Sequence, residues 1–157
     1  RVMMMRLLAL LLFTVFSLPS SAEPPDGYPF MPFDQAMQQA QEKGMPLFVY
    51  FGRYGCGYCD KTNKEAFSDS KVRQQYTANY VLAYVDSESG KRLRLPSGER
   101  ITERELGTRY NAFVTPFFSF ITTDGDVLTR LVGVQRTVDL LDADKKVQLS
   151  IKGQGTL

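Results

Sequence analysis

The chain has 157 residues, with 19 Lys or Arg against 17 Asp or Glu, two Cys, no His and no Trp. Without His there is no Ser-His-Asp or Cys-His nucleophile pair, no imidazole base and no Cys-x-x-Cys-His haem attachment. Two Cys are too few for a closed structural zinc site of about four ligands, so neither a metal nor a cofactor is expected.

The chain opens on the basic stretch Arg1-Val2-Met3-Met4-Met5-Arg6, followed by an apolar run from Leu7 to Leu18 and by Pro19-Ser20-Ser21-Ala22. That order is the pattern of a secretory signal peptide, and the run is short of the roughly 20 apolar residues a membrane span needs. The expected division is a signal peptide over 1–22, cleaved between Ala22 and Glu23, and one domain over 23–157 in the periplasm; retention of the leader as an anchor is the alternative. Taking Arg1 and Arg6 from the 19 basic residues leaves 17, equal to the 17 acidic ones. A formally neutral mature chain offers no basic surface for nucleic acid, and no nucleic-acid partner is expected. Export also puts both cysteines where disulfides persist.

Residues Glu23 to Pro32 are rich in Pro, Gly and aromatics and predict an irregular lead-in. Phe33, Ala36, Met37 and Ala40 recur at helical spacing, so a helix is predicted from Asp34 to Lys43, with Gly44 ending it. Leu47-Phe48-Val49-Tyr50-Phe51 reads as a strand buried on both faces. Gly52 to Gly55 turn the chain into a helix predicted from Cys56 to about Phe67, broken near Ser68-Asp69-Ser70 and resuming from Val72 to Thr77. A second strand, Val81 to Val85, ends at Asp86. The polar stretch Ser87 to Arg100 predicts a small hairpin or ordered loop, whose Lys91, Arg92, Arg94 and Arg100 read as a solvated surface. Thr102-Glu103-Arg104-Glu105 has the form of a capping box and starts a helix that ends near Tyr110. Thr115-Pro116 precedes a strand from Phe117 to Thr122, Asp124-Gly125 is a hairpin turn signal, and Val127 to Leu131 is the return strand. A last helix from Thr137 is weakly amphipathic through Val138, Leu141 and Val147, and Gly153-Gln154-Gly155 is expected to fray.

The chemistry lies in Cys56-Gly57-Tyr58-Cys59. A spacing of i, i+3 on a first helical turn puts both sulfurs on one face within disulfide reach. The free amides and dipole of a helix N-terminus favour an anion, which makes Cys56 the more acidic thiol and the expected nucleophile, with its sulfur the more exposed. Cys59 is then the resolving thiol, which attacks the mixed disulfide and releases product. Arg53 lies three residues upstream, as added positive charge or as a solvent-facing side chain. A purely structural disulfide is the bland alternative, but closing so short a loop stabilises by only about 2 kcal/mol.

With these features in order, strand, Cys-x-x-Cys helix, strand ending at Asp86, then Thr115-Pro116, hairpin and Gly133, the sequence resembles the thioredoxin superfamily from about Phe33 to Leu141. The resemblance implies a single thioredoxin-like α/β domain with a central mixed β-sheet flanked by helices. Within it, the stretch Glu65 to Val72 is similar to exported thioredoxin-related proteins, including the SoxW type associated with sulfur oxidation. The resemblance further implies that Pro116 is cis and lies against the sulfurs, and that the backbone of Thr115 pairs with an extended substrate segment. It makes Thr115, Pro116, Gly57 and Tyr58 the substrate-binding residues.

Departures are informative too: Tyr50 stands where cytoplasmic thioredoxins carry a buried acid, and Gly55 stands where they carry Trp. Gly57-Tyr58 between the cysteines, together with Thr115, looks like the active site of periplasmic disulfide isomerases, whose separate dimerisation domain is not expected here. The expectation is a monomer that reduces or isomerises disulfides of protein substrates and is held reduced by a membrane electron donor. A disulfide-forming oxidase and a redox-inert binding module of the same fold are the alternatives.

Overall fold

The first strand, β1 (Leu47–Gly52), is buried along its whole length because it lies inside a sheet covered on both faces. The computed structural model describes residues 23–154; the expectations for the leader 1–22 and for Gly155 lie outside the described residues. β1 pairs in parallel with β2 (Val81–Asp86) on one side and antiparallel with β5 (Phe117–Ile121) on the other, and β5 pairs antiparallel with β6 (Val127–Val132). The order β2-β1-β5-β6 makes a mixed four-stranded sheet, as the resemblance implied. A separate two-stranded hairpin, β3 (Arg92–Arg94) with β4 (Arg100–Thr102), fills the polar stretch and leaves its arginines exposed.

Strand alternation divides the core in two. Leu47, Val49 and Phe51 face α1 (Phe33–Lys43), whose Phe33, Ala36, Met37 and Ala40 are the predicted inward stripe, together with Leu106 of α4 (Glu103–Arg109). Phe48 and Tyr50 face the opposite way, into a cluster with Phe118 and Phe120 of β5, Val72 and Tyr76 of α3 (Ser70–Asn79), Leu140 of α5 (Thr137–Gln154), and both cysteines. That second core is unusually aromatic; Phe48 stacks on Phe118 at 5.5 Å and meets Tyr76 edge-on at 4.8 Å. Such pairs contribute roughly 0.5–1.5 kcal/mol beyond their burial.

Local signals set most of the boundaries. Gly44 ends α1 at φ 64°, in the left-handed region where a side chain is disfavoured. Thr102 and Glu105 form the reciprocal capping box at α4. The predicted break near Ser68-Asp69-Ser70 is a full boundary between α2 (Gly57–Glu65) and α3: the Asp69 carboxylate accepts from the amides of Lys71 and Val72, ending one helix by starting another.

Three expectations need correction here. The lead-in is not wholly irregular, because Met31 bridges to Ala83 and exchanges backbone hydrogen bonds with Leu82 and Tyr84 at 3.0 Å each, lying beside β2. In α5 the inward residues are Leu140, Ala143, Asp144 and Val147, whereas Val138 is exposed and Leu141 only half-buried. The acid hid the stripe. Asp144 is tolerated inside because its carboxylate accepts from the Tyr80 hydroxyl at 2.6 Å and from Asn79 Nδ2 at 3.1 and 3.2 Å. The Gly153-Gln154 end, expected to fray, is helical.

Candidate functional site

β1 runs out at Gly52, whose carbonyl accepts from the Ser87 amide at 2.9 Å, and the chain turns through residues 53–55 into α2. The helix begins one residue later than predicted. Cys56 is its N-cap, in extended conformation, and its sulfur accepts the Cys59 amide at 3.1 Å while its carbonyl accepts the Asp60 amide at 3.1 Å. A sulfur thus occupies the place an Asp or Ser oxygen takes at an ordinary helix start, the position at which free amides and the helix dipole stabilise negative charge. Cys56 and Cys59 form a disulfide with Cα atoms 5.2 Å apart.

A second donor reaches the same sulfur. The loop before β5 brings the Thr115 hydroxyl to 3.3 Å from Cys56 Sγ, and the Thr115-Pro116 peptide bond is cis. Pro116 is buried, and its carbonyl accepts from the Gly133 amide at 2.8 Å, which ties this loop to the end of β6. From there the Gln135 amide donates to Thr62 Oγ1 at 3.3 Å, fixing the buried Thr62 three residues past Cys59. The helix that carries Cys56 and Cys59 is therefore tied both to the loop before β5 and to the segment after β6.

As whole residues the two cysteines are almost equally buried, Cys56 4% and Cys59 5% exposed. Gly57 and Tyr58, by contrast, project outward, with Tyr58 68% exposed.

Two concavities flank the pair. One, of about 440 Å³, is lined by both cysteines together with Asp60, Asn63, Lys64, Arg73 and Tyr84. The other, of about 480 Å³, runs between Tyr58 and the loop Phe113-Val114-Thr115, with Arg104, Thr108 and Ala112 along its floor and edge. Arg53 lines both and donates to the Tyr54 carbonyl at 3.2 Å. Phe113 and Val114 are 72% and 53% exposed, an apolar rim that sequence reading did not single out. Two apolar residues in a short loop directly before Thr115-Pro116 were the available signal.

Tyr50 lies on the interior side of α2. Its hydroxyl donates to Asn63 Oδ1 at 2.8 Å, with the Cys59 carbonyl at 3.4 Å, and burial pushes its ionisation far above the usual phenol range. Asn63 was also missed, although it falls four residues after Cys59 and seven after Cys56, on the same helical face.

A thioredoxin-like domain profile matches residues 33–148. No curated protein matches the chain. Among solved structures, a putative disulphide-isomerase from Bacteroides thetaiotaomicron is 30% identical over 82% of this chain and 97% of its own, with a TM-score of 0.60. A thioredoxin from Thermus thermophilus is 28% identical over 76% of this chain and 86% of its own, with a TM-score of 0.62. The c-terminal domain of DsbD from Neisseria meningitidis shares the fold at 18% identity, covering 71% of this chain and 90% of its own, with a TM-score of 0.56. The sheet order, the disulfide at the start of α2 and the profile match agree, and the chain belongs to the thioredoxin-like domain family.

Proposed function

We propose that this chain is a periplasmic thiol-disulfide oxidoreductase that reduces or isomerises protein disulfides, an exported thioredoxin-related protein of the SoxW type acting as a monomer. The observation that carries the reading is the environment of Cys56 Sγ, which receives the Cys59 amide and the Thr115 hydroxyl. Both donors stabilise a thiolate, and only a thiolate attacks a disulfide. The similarity to a putative disulphide-isomerase supports the same chemistry.

In the reduced protein, the Cys56 thiolate attacks one sulfur of a substrate disulfide. That bond breaks, one substrate thiolate leaves and takes a proton, and a Cys56-substrate mixed disulfide forms. Cys59 then loses its proton and attacks the Cys56 sulfur, which closes the Cys56-Cys59 disulfide and releases the second substrate thiolate. Two electrons pass from the cysteine pair to the substrate. A membrane dithiol donor returns them by the same exchange run in reverse. Substrate lies along Thr115 and Pro116 with Gly57 and Tyr58 opposite, pairing through the Thr115 backbone. The basic-apolar-small order of residues 1–22 supports export, and N-terminal sequencing of the mature protein tests it: a start at Glu23 is expected.

The same two donors favour a second reading, a disulfide-forming oxidase, since a stabilised thiolate makes the reduced form more stable and the pair more oxidising. Alkylation trapping in cells separates the two. Free thiols that become oxidised when the membrane donor is deleted support the reductase or isomerase; a fully oxidised pair that rapidly oxidises reduced test proteins supports the oxidase.

A further inference from the structure

No buried carboxylate lines the cavity beside the sulfurs. The two buried carboxylates among the described residues, Glu103 and Asp144, both lie elsewhere. What faces α2 from the sheet is Tyr50, fully buried, its ring stacked on Phe67 at 5.6 Å and edge-on to Phe118 at 4.7 Å. Rings so packed leave the hydroxyl little freedom, and it donates to Asn63 Oδ1 at 2.8 Å. An amide whose oxygen is held in this way has its orientation set, and its NH2 end is the part left for the cavity that Asn63 lines with both cysteines. The cations on the same wall are differently placed. Lys64 and Arg73 are exposed, with Arg73 over the Tyr28 ring at 5.6 Å, and the half-buried Arg53 donates to the Tyr54 carbonyl.

We propose that Tyr50 and Asn63 are a positioning pair: Tyr50 orients the Asn63 amide so that a neutral hydrogen-bond donor faces the sulfurs from the cavity side and stabilises the reduced form of the Cys56-Cys59 pair. The role rests on the oxidoreductase reading and adds residues that act through orientation, with no charge of their own. A donor of this kind strengthens when a sulfur becomes a thiolate and weakens when it is tied in a disulfide.

The test is the equilibrium of the purified protein with glutathione, in which the Cys56-Cys59 disulfide and two glutathione thiols give two protein thiols and oxidised glutathione. Wild type, Tyr50→Phe, Asn63→Leu, Asn63→Asp and the Tyr50→Phe/Asn63→Leu double variant are equilibrated, acid-quenched and alkylated, with melting temperatures measured in parallel. Loss of one neutral hydrogen bond predicts a shift toward the disulfide of about threefold to tenfold in Tyr50→Phe and in Asn63→Leu. The double variant should shift no further than Asn63→Leu, because the two act through one amide. Asn63→Asp, which removes the donor and adds negative charge, should shift furthest in the same direction. Tyr50→Phe keeps the packed ring and decides the matter even if a variant at Asn63 fails to fold. Equilibria that coincide with wild type while melting temperatures fall would reduce the pair to ordinary scaffolding and overturn the proposal. A wild-type protein that neither exchanges with glutathione nor reduces insulin would instead overturn the oxidoreductase reading.

Discussion

The Thr115 hydroxyl donates to Cys56 Sγ at 3.3 Å although 59 residues separate the two in sequence. One comes from the loop before β5 and the other caps α2, so the contact exists only when the sheet has brought both loops to the same end of β1.

This contact predicts the behaviour of Thr115→Val, which keeps the shape of the side chain and removes its donor. A thiolate that loses a hydrogen bond is less stable, so the Cys56 pKa should rise, and alkylation of the reduced protein near neutral pH should slow by roughly threefold to tenfold. The pH profile of iodoacetamide reaction measures both. An unchanged profile would mean that the Cys59 amide and the helix start set the thiol alone.

The two cysteines should separate cleanly by role. Cys56→Ser is expected to abolish insulin reduction and mixed-disulfide formation together. Cys59→Ser should lose turnover while accumulating covalent complexes with substrates, visible as reductant-sensitive bands on gels. Equal trapping by both variants would contradict the assignment of Cys56 as nucleophile.

Gly52 is the last residue of β1, and a Cβ there would run into the hydroxyl end of the Tyr84 ring on β2. Gly52→Ala should force Tyr84 off its position beside the sulfur cavity and destabilise the fold by about 1–3 kcal/mol, the usual cost of overpacking. Adding Tyr84→Phe, which removes the nearest atom, should restore part of the lost melting temperature.

Glu103 supplies a pH-dependent term. Burial pushes its pKa above the ordinary value of 4.5, an effect opposed by the hydrogen bond it accepts from the Asp86 amide. A carboxyl whose folded pKa is raised favours folding while protonated, and that contribution is lost as pH climbs through the folded value. Glu103→Gln should therefore gain stability over wild type between pH 5 and pH 7, with the difference shrinking at about pH 4. Urea titrations across that range check it, and a difference that grows toward acid would show the opposite sign of coupling.

Sequence alone was enough for what depends on neighbours along the chain. The apolar run of β1, the capping box at Thr102, Gly44 after α1 and the spacing of Cys56 and Cys59 are each local, and each appears where the pattern placed it. The family followed from the order of those elements. Long-range contacts decided the rest. The inward face of α5 was misread because Asp144 counts as polar until Tyr80 and Asn79, more than 60 residues away, are seen to satisfy it. The equal burial of the two cysteines, the Thr115 donor, the Tyr50-Asn63 hydrogen bond and the apolar rim at Phe113 and Val114 arise where loops from different strands converge. Local propensity sets which elements form, whereas the environment of a sulfur is set by what the closed sheet carries to it, and no periodicity along the chain encodes that distance.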